Sequence, residues 1–113
     1  MVQNRNKLIE LFISNISNAI VHEILELAVI NELVADKYRK EFITSLEVAK
    51  KYREKINPVN KPLPRKDLEY IRAKIINRVR AELAIRISKG YKNIDLSHIE
   101  TLTDNALKDA DIS

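Results

Sequence analysis

The fold is decided by residues 8–28, whose sequence is LIELFISNISNAIVHEILELA. Apolar residues recur there at steps of three and four, the spacing that keeps side chains on one face of an α-helix. The members of this face are Leu8, Leu11, Phe12, Ile16, Ala19, Ile20, Ile24, Leu27 and Ala28. Ile9, Ile13 and Leu25 widen the face, so we expect a first helix over residues 6–30 that contacts neighbours on more than one side. The polar residues within 14–18 predict a break, because Ser and Asn side chains compete for backbone hydrogen bonds.

Composition restricts the chain to a single helical domain. Its 113 residues fit one domain, at about 150 residues per domain. The apolar content of 45% is too high for a disordered tail, and the charged content of 32% is too high for a membrane bundle. With one glycine and no cysteine, glycine-rich phosphate loops, disulfides and thiolate sites are excluded. We predict an all-α bundle of about four helices over residues 1–113, two or three of them long and a short one at the carboxyl end.

A second helix is expected to follow the first after a short break. Asp36 is placed to cap this helix, which ends near Ile56. All three prolines then lie in residues 57–64, NPVNKPLP. Proline removes an amide donor and biases the preceding residue away from helical geometry. This segment is therefore predicted to be a semi-stiff connector within the domain.

The third and fourth helices are predicted by an adjacent stop signal and start signal. A third helix is expected over residues 65–89, and Gly90 stands where a left-handed cap is wanted. Ser97 and Glu100 have the spacing of a capping box, which predicts a short fourth helix to about residue 107. Residues 108–113 are expected to fray.

The sequence predicts neither a signal peptide nor a membrane span. Residues 1–7 are polar and lack the apolar core of a signal peptide. The most apolar stretch, residues 19–30, is interrupted by His22, Glu23 and Glu26, and falls short of the roughly 20 apolar residues that a span needs. We expect a cytoplasmic protein that does not bind membranes.

Charge is distributed unevenly along the chain. Residues 1–36 carry two basic and five acidic groups, and residues 93–113 carry one basic and five acidic groups. Between them, residues 37–60 carry seven basic against three acidic groups, and residues 61–92 carry ten against three. Three interpretations stay open: basic helices paired with the acidic ends of the chain, a charged protein interface, or a basic face for nucleic acid.

The basic residues of the third helix give the candidate binding positions. Arg72 and Arg86 fall inside the apolar arc of this helix, where a charged group is costly unless it is paired or reaches water. Either their guanidinium groups lie in solvent, or they form hydrogen bonds to a carboxylate or carbonyl across a subunit interface. The candidate contacts to non-specific nucleic acid are Arg65, Lys66, Arg72, Lys74, Arg78 and Arg80.

No arrangement of residues predicts catalysis, a metal site or a cofactor. His22 and His98 lie in different helices without metal-ligand spacing, and no serine has the Gly-x-Ser-x-Gly setting. We therefore expect a protein that is not an enzyme.

Three segments resemble the helical domain of archaeal GINS-type DNA replication factors. They are residues 32–38 (ELVADKY) with the helix after them, residues 75–87 (IINRVRAELAIRI) and residues 93–100 (NIDLSHIE). The likeness covers roughly residues 6–107, and it departs from the family where Lys37 and Tyr38 follow the aspartate. It implies a noncatalytic scaffold that assembles through helical domains and holds the replicative helicase near DNA. Within that likeness, interface positions would be Tyr38, Phe42, Leu46, Arg72, Arg78 and Arg86.

The sequence predicts a function carried out by association. Helices of about 20–25 residues with wide apolar faces, in so small a chain, leave apolar surface for a partner to bury. We expect a noncatalytic oligomerising scaffold, either a homo-oligomer or a subunit bound to a partner protein in a larger assembly. The alternative is a small basic helical protein that binds nucleic acid or acts as an antitoxin-like or viral regulator.

Overall fold

The computed structural model describes residues 4–56 and 62–110. These residues form four α-helices: α1 (Arg5–Ala28), α2 (Glu32–Ile56), α3 (Arg65–Ser88) and α4 (Ile99–Asp109). One turn of 3-10 helix, Leu96–His98, precedes α4, and no strand occurs within the described ranges. The predicted all-α bundle is confirmed. Most of the predicted connector, residues 57–61, lies outside the described residues, and its last part is non-helical with Leu63 buried.

Helix α1 is the central helix of the bundle. Eleven of its 24 residues are buried. Helices α2, α3 and α4 all contact it, and α2 and α3 pack on α1 rather than on each other. The wide apolar face predicted from Ile9, Ile13 and Leu25 is therefore explained, because all three side chains are buried on a helix that three others contact.

The predicted break at residues 14–18 is wrong, since α1 continues through it. The polar side chains have found partners that do not interrupt the helix. Asn15 Nδ2 donates to the carbonyl oxygen of Leu11 at 2.8 Å, and Asn18 Nδ2 donates to Ser45 Oγ of α2 at 2.6 Å. Packing on several sides outweighs the weak local preference of Ser and Asn.

Helix α2 begins four residues before the predicted cap. The side chain of Asn31 accepts from the backbone amides of Leu33 and Val34 at 2.9 and 3.2 Å, so Asn31 is the cap. Asp36 lies one turn inside the helix and pairs with Lys40 at 3.1 Å. The prediction that Asp36 caps α2 was wrong, while the predicted end at Ile56 is confirmed.

Helix α3 runs parallel to α1. Arg5 pairs with Asp67, and Tyr70 donates to the Glu10 carboxylate at 2.9 Å, so the two helices start side by side. At its end, Gly90 has a φ of 99° and its amide donates to the carbonyl of Ile87. The next amide, that of residue 91, donates to the carbonyl of residue 86 at 3.1 Å. This pair of bonds is a Schellman motif, as the single glycine predicted.

The short fourth helix is present as predicted, but its start and its cap differ from the prediction. The capping side chain is that of Asp95 rather than Ser97. Its carboxylate accepts hydrogen bonds from the backbone amide of Ser97 at 2.9 Å and from the Ser97 hydroxyl at 2.6 Å. The predicted capping box is therefore wrong in its residues, because the 3-10 turn moves the start of α4 to Ile99. Fraying of residues 108–110 is also wrong: α4 extends through Asp109, and Ala110 is buried.

Helix α1 meets the length and composition expected of a membrane-crossing helix, contrary to the expectation from its interrupting charges. Most of this apolar stretch is buried against the other three helices. The core helix of a water-soluble bundle has the same length and composition, so this feature is weak evidence for a membrane span.

Candidate functional site

The structure divides the six candidate nucleic-acid residues of α3 into two groups. Arg65 pairs with Glu69 at 3.1 Å, and Arg72 forms two bonds to Asp104 of α4, Nε to Oδ1 at 2.8 Å and Nη2 to Oδ2 at 3.2 Å. The other four are exposed and form no ion pair with any described residue. These are Lys66, Lys74, Arg78 and Arg80. We call them the free cations of α3.

The acidic residues of α3 do not neutralise the free cations. Asp67 forms an ion pair with Arg5, and Glu69 forms one with Arg65. Glu82 pairs with Arg86 at 3.2 Å. Some basic side chains are neutralised by carboxylates of other helices. Arg72 of α3 pairs with Asp104 of α4, and Arg39 of α2 pairs with Glu26 of α1 at 2.7 Å. This pairing therefore accounts for part of the basic charge and leaves the exposed surface of α3 positive.

The Arg72–Asp104 pair joins α3 to α4 within one chain. Its hydrogen bond lowers the pKa of the Asp104 carboxyl and raises that of the Arg72 guanidinium. Both side chains remain more than a third exposed, so solvent screens the pair and its contribution to stability is small. The structure thus gives Arg72 an intramolecular partner, where the sequence left a subunit interface open.

The interface candidates of α2 pack inside the chain. Tyr38 and Phe42 are half-buried against the core and Leu46 is buried, and the ring of His22 lies 5.9 Å from that of Tyr38. Arg72 and Arg86 of α3 hold their own ion pairs elsewhere. Arg78, the sixth candidate, is exposed on α3, and the six candidates therefore do not form one surface. Their role as contacts to another chain stays a prediction.

The three most exposed large apolar side chains, with Val34 beside them, lie where α1 meets α2. Leu27 is 66% exposed, Ile30 93%, Leu33 80% and Val34 38%. We call these four residues the apolar tip. Sequence reasoning placed Leu27 on the buried face of α1 and missed the other three. The available signal was their position, since apolar residues in a short turn and in the helix ends beside it have little core to reach.

A second set of exposed apolar residues lies at the end of α3. Ile85, Ile87 and Tyr91 are each between 42% and 48% exposed. Because α3 runs parallel to α1, its carboxyl end points to the same end of the bundle as the apolar tip. Ten large apolar residues are exposed in the described part of the chain, and seven of them are at this end. The bundle therefore has one apolar end, with the free cations along its side.

Glu23 lies on α1 close to two other carboxylates. Burial raises its pKa, and the nearby charges of Glu26 and Asp109 raise it further. An acid whose pKa is raised in the folded state destabilises that state when ionised, above the folded pKa. The penalty disappears as the pH falls through that value.

Replacing Glu23 with Gln is therefore expected to stabilise the fold at neutral pH. The gain should be about 0.2–0.5 kcal/mol, the size of a like-charge contact on a helix. Thermal unfolding at pH 7 should show a higher midpoint for Glu23→Gln, and the difference should close near pH 4. Glu26→Gln is the matched control, since it removes the partner of Arg39 and should not stabilise. An equal gain from both variants at both pH values would contradict this assignment.

Comparison with protein-family models, curated proteins and solved structures gives no match to this chain. Within residues 4–56 and 62–110, no group of three His, Cys, Asp or Glu side chains is placed to hold a metal ion. The apolar end and the free cations of α3 are thus the two features that bear on association and on nucleic-acid binding.

Proposed function

We propose that this protein is a noncatalytic helical subunit that functions by association, either with further copies of itself or within a larger assembly. The observation that supports this is the apolar end, above all Ile30 and Leu33, which are 93% and 80% exposed. Contiguous exposed apolar patches on soluble domains mark interaction sites. Burying a large aliphatic side chain contributes about 1.5–3 kcal/mol, so these two residues alone favour a partner by several kcal/mol.

The polar surroundings of the apolar tip fit an interface with a rim. Glu32 and Asp36 are exposed on α2 next to Leu33, and the Arg39–Glu26 ion pair lies between the two helices. Interfaces typically have an apolar centre with charged residues at the edge. The charged edge keeps the free subunit soluble and directs its apolar residues to one partner surface.

Self-association is the first test of this function. Light scattering is expected to show a dimer or larger species at micromolar concentration, with little dependence on salt because the contact is apolar. At about 100 µM, even a Kd of about 10 µM leaves most of the protein dimeric. A monodisperse monomer at that concentration would exclude a homo-oligomer, and a hetero-assembly would then require co-purification of a defined partner.

Binding of non-specific nucleic acid is the second candidate function, supported by the free cations of α3. Cations without carboxylate partners can neutralise phosphates and release counterions, which makes affinity fall steeply with salt. We expect duplex DNA to bind with a logarithmic salt slope of about −0.9 for each phosphate contacted.

The triple variant Lys66→Gln/Arg78→Gln/Arg80→Gln should flatten that slope by about two to three units. The matched control, Lys37→Gln/Lys51→Gln/Lys55→Gln, removes the same charge from α2 and should keep the salt slope of the wild type. Fluorescence anisotropy at several salt concentrations gives the slope. If both variants behave alike, the binding depends on net charge and not on this surface of α3.

The resemblance to archaeal GINS-type factors supports a more specific proposal, in which the assembly acts in DNA replication in the cytoplasm of an archaeon. The packing of Tyr38, Phe42 and Leu46 within the bundle is compatible with it. Co-purification from the native host, with the bound proteins identified by mass spectrometry, tests the proposal. Recovery of replication subunits would support it, and recovery of a toxin or a viral protein would favour the regulator alternative.

A further inference from the structure

Helices α1 and α3 enclose a polar cleft on one side of the bundle. It has a volume of about 350 Å³ and is open to solvent. From α1 it is lined by Ser14, Ser17 and Asn18, and from α3 by Arg78, Glu82 and Arg86. Its volume falls in the range of about 300–1,000 Å³ that small-molecule sites occupy. The polar residues of this part of α1 were predicted to break the helix, and they were not predicted to form a surface.

Two buried polar atoms, on residues that line the cleft, have no hydrogen-bond partner among the described residues. The hydroxyl of Ser17, on a residue that is 3% exposed, is one of them. The other is Nε of Arg86, although Nη1 of the same guanidinium contacts Glu82 at 3.2 Å. Buried polar groups in folded proteins are nearly always bonded, so each exception requires an explanation. Here both exceptions belong to residues that line the same cleft.

Each of these atoms can donate a hydrogen bond, and a third donor lies beside them. Arg78 lines the cleft and forms no ion pair with a described residue. Two guanidinium groups and one carboxylate, Glu82, leave the cleft with a net positive charge. Forked guanidinium donors bind the oxygens of phosphate or carboxylate groups in preference to neutral ligands. The cleft therefore favours an oxyanion.

The remaining lining determines what the oxyanion is attached to. The amide nitrogens of Asn15 and Asn18 each donate one hydrogen bond, to the carbonyl of Leu11 and the hydroxyl of Ser45, so each amide keeps one N–H donor as well as its acceptor oxygen. Val21 is the one apolar residue in the lining, and no aromatic ring is present to stack a nucleobase. Acceptors beside an oxyanion site suit a hydroxylated molecule.

We propose that this cleft binds a small phosphate ester of a hydroxylated molecule, with Arg78, Arg86 and Ser17 donating to the phosphate. The site is separate from the apolar end, and it does not depend on the proposed association. Arg86 is held in place by Glu82, so its Nε is oriented before the ligand arrives. The amide oxygens of Asn15 and Asn18 accept from hydroxyl groups of the ligand.

Titration of the ¹⁵N-labelled protein by NMR, in buffer without phosphate or sulfate, tests this site. The probes are inorganic phosphate and ribose 5-phosphate. Saturable shifts are expected for residues 14–21 and 78–86, and ribose 5-phosphate should bind more tightly because it also engages the asparagines. Ser17→Ala and Arg86→Gln should each weaken binding by about tenfold, the effect of losing a charge-assisted hydrogen bond.

Arg80→Gln is the matched control, because Arg80 is a free cation of α3 outside the cleft lining. It should leave the affinity for ribose 5-phosphate unchanged. Ser17→Ala should retain or raise thermal stability without ligand, since it removes an unsatisfied buried hydroxyl. A loss of binding in Ser17→Ala therefore cannot be caused by unfolding. If Arg86→Gln fails to fold, Ser17→Ala alone still tests the site.

Three outcomes would overturn the assignment. One is the absence of saturable shifts in the cleft up to about 20 mM probe, a Kd beyond the range of specific binding. The second is unchanged binding by Ser17→Ala and Arg86→Gln. The third is an equal loss from Arg80→Gln, which would show attraction of phosphate, including that of nucleic acid, to the basic surface in general.

Discussion

Phe12→Ala is expected to lower the free energy of unfolding by about 3–5 kcal/mol, the usual cost of removing a fully buried aromatic side chain. Phe12 is 0% exposed and lies on the central helix, where neighbours approach from several sides. The cavity cannot close by movement of one neighbour alone, because α1 is held by three helices at once. Since single domains are stable by about 5–15 kcal/mol, this one substitution removes much of the total.

The chain supplies its own matched control for this prediction. Its only other phenylalanine, Phe42, is half-buried on α2 and packs at the edge of the core. Phe42→Ala removes the same atoms from a site that solvent already reaches, so its cost should be at most about half as large. Urea unfolding followed by circular dichroism measures both. Equal losses would show that α1 is not the centre of the core.

The long helices were predictable because their apolar spacing and their stop signals agree. The predicted ends near Ile56 and Gly90 match the structure, where the left-handed φ of Gly90 closes a Schellman motif. A positive φ is a local backbone requirement, and one glycine in a charged helical sequence has few other uses. Signals of this kind act within a few residues and can be recognised without tertiary contacts.

Capping residues were harder to predict, because several candidates compete within a few positions. Asn31 and Asp36 both have suitable side chains, and so do Asp95 and Ser97. Which of them caps depends on where the preceding segment turns, and that is set by packing on α1. The unbroken course of α1 through Ser14 to Asn18 has the same origin, since Ser45 of a distant helix takes up the amide of Asn18.

The surfaces depend on pairings that no local pattern reveals. Arg72 and Arg78 look alike in the sequence, yet Asp104, 32 residues after Arg72, neutralises one and leaves the other free. The orphaned hydroxyl of Ser17 becomes visible only when α3 is in place. In the same way, Leu33 does lie at the start of a helix, as its sequence suggested, but no local pattern showed that it would be 80% exposed.

The double variant Ile30→Glu/Leu33→Glu is expected to prevent association through the apolar tip. Each residue is at least 80% exposed in the free chain, so the substitutions remove no contact of the folded domain. Glu at position 33 also falls in the first turn of α2, where a negative charge is favourable. At an interface, however, the variant loses about 3 kcal/mol or more of apolar burial and places charges in its centre.

We therefore expect the Kd of self-association to rise at least about 100-fold, since every 1.4 kcal/mol is a factor of ten. Sedimentation velocity over a range of concentrations measures this, and circular dichroism should show unchanged helicity. Ile43→Glu is the control, because Ile43 is 50% exposed on α2 but lies outside the apolar tip. It should associate like the wild type. If Ile43→Glu dissociates the protein and the tip variant does not, the contact lies along the outer face of α2, where Ile43 would be at its centre.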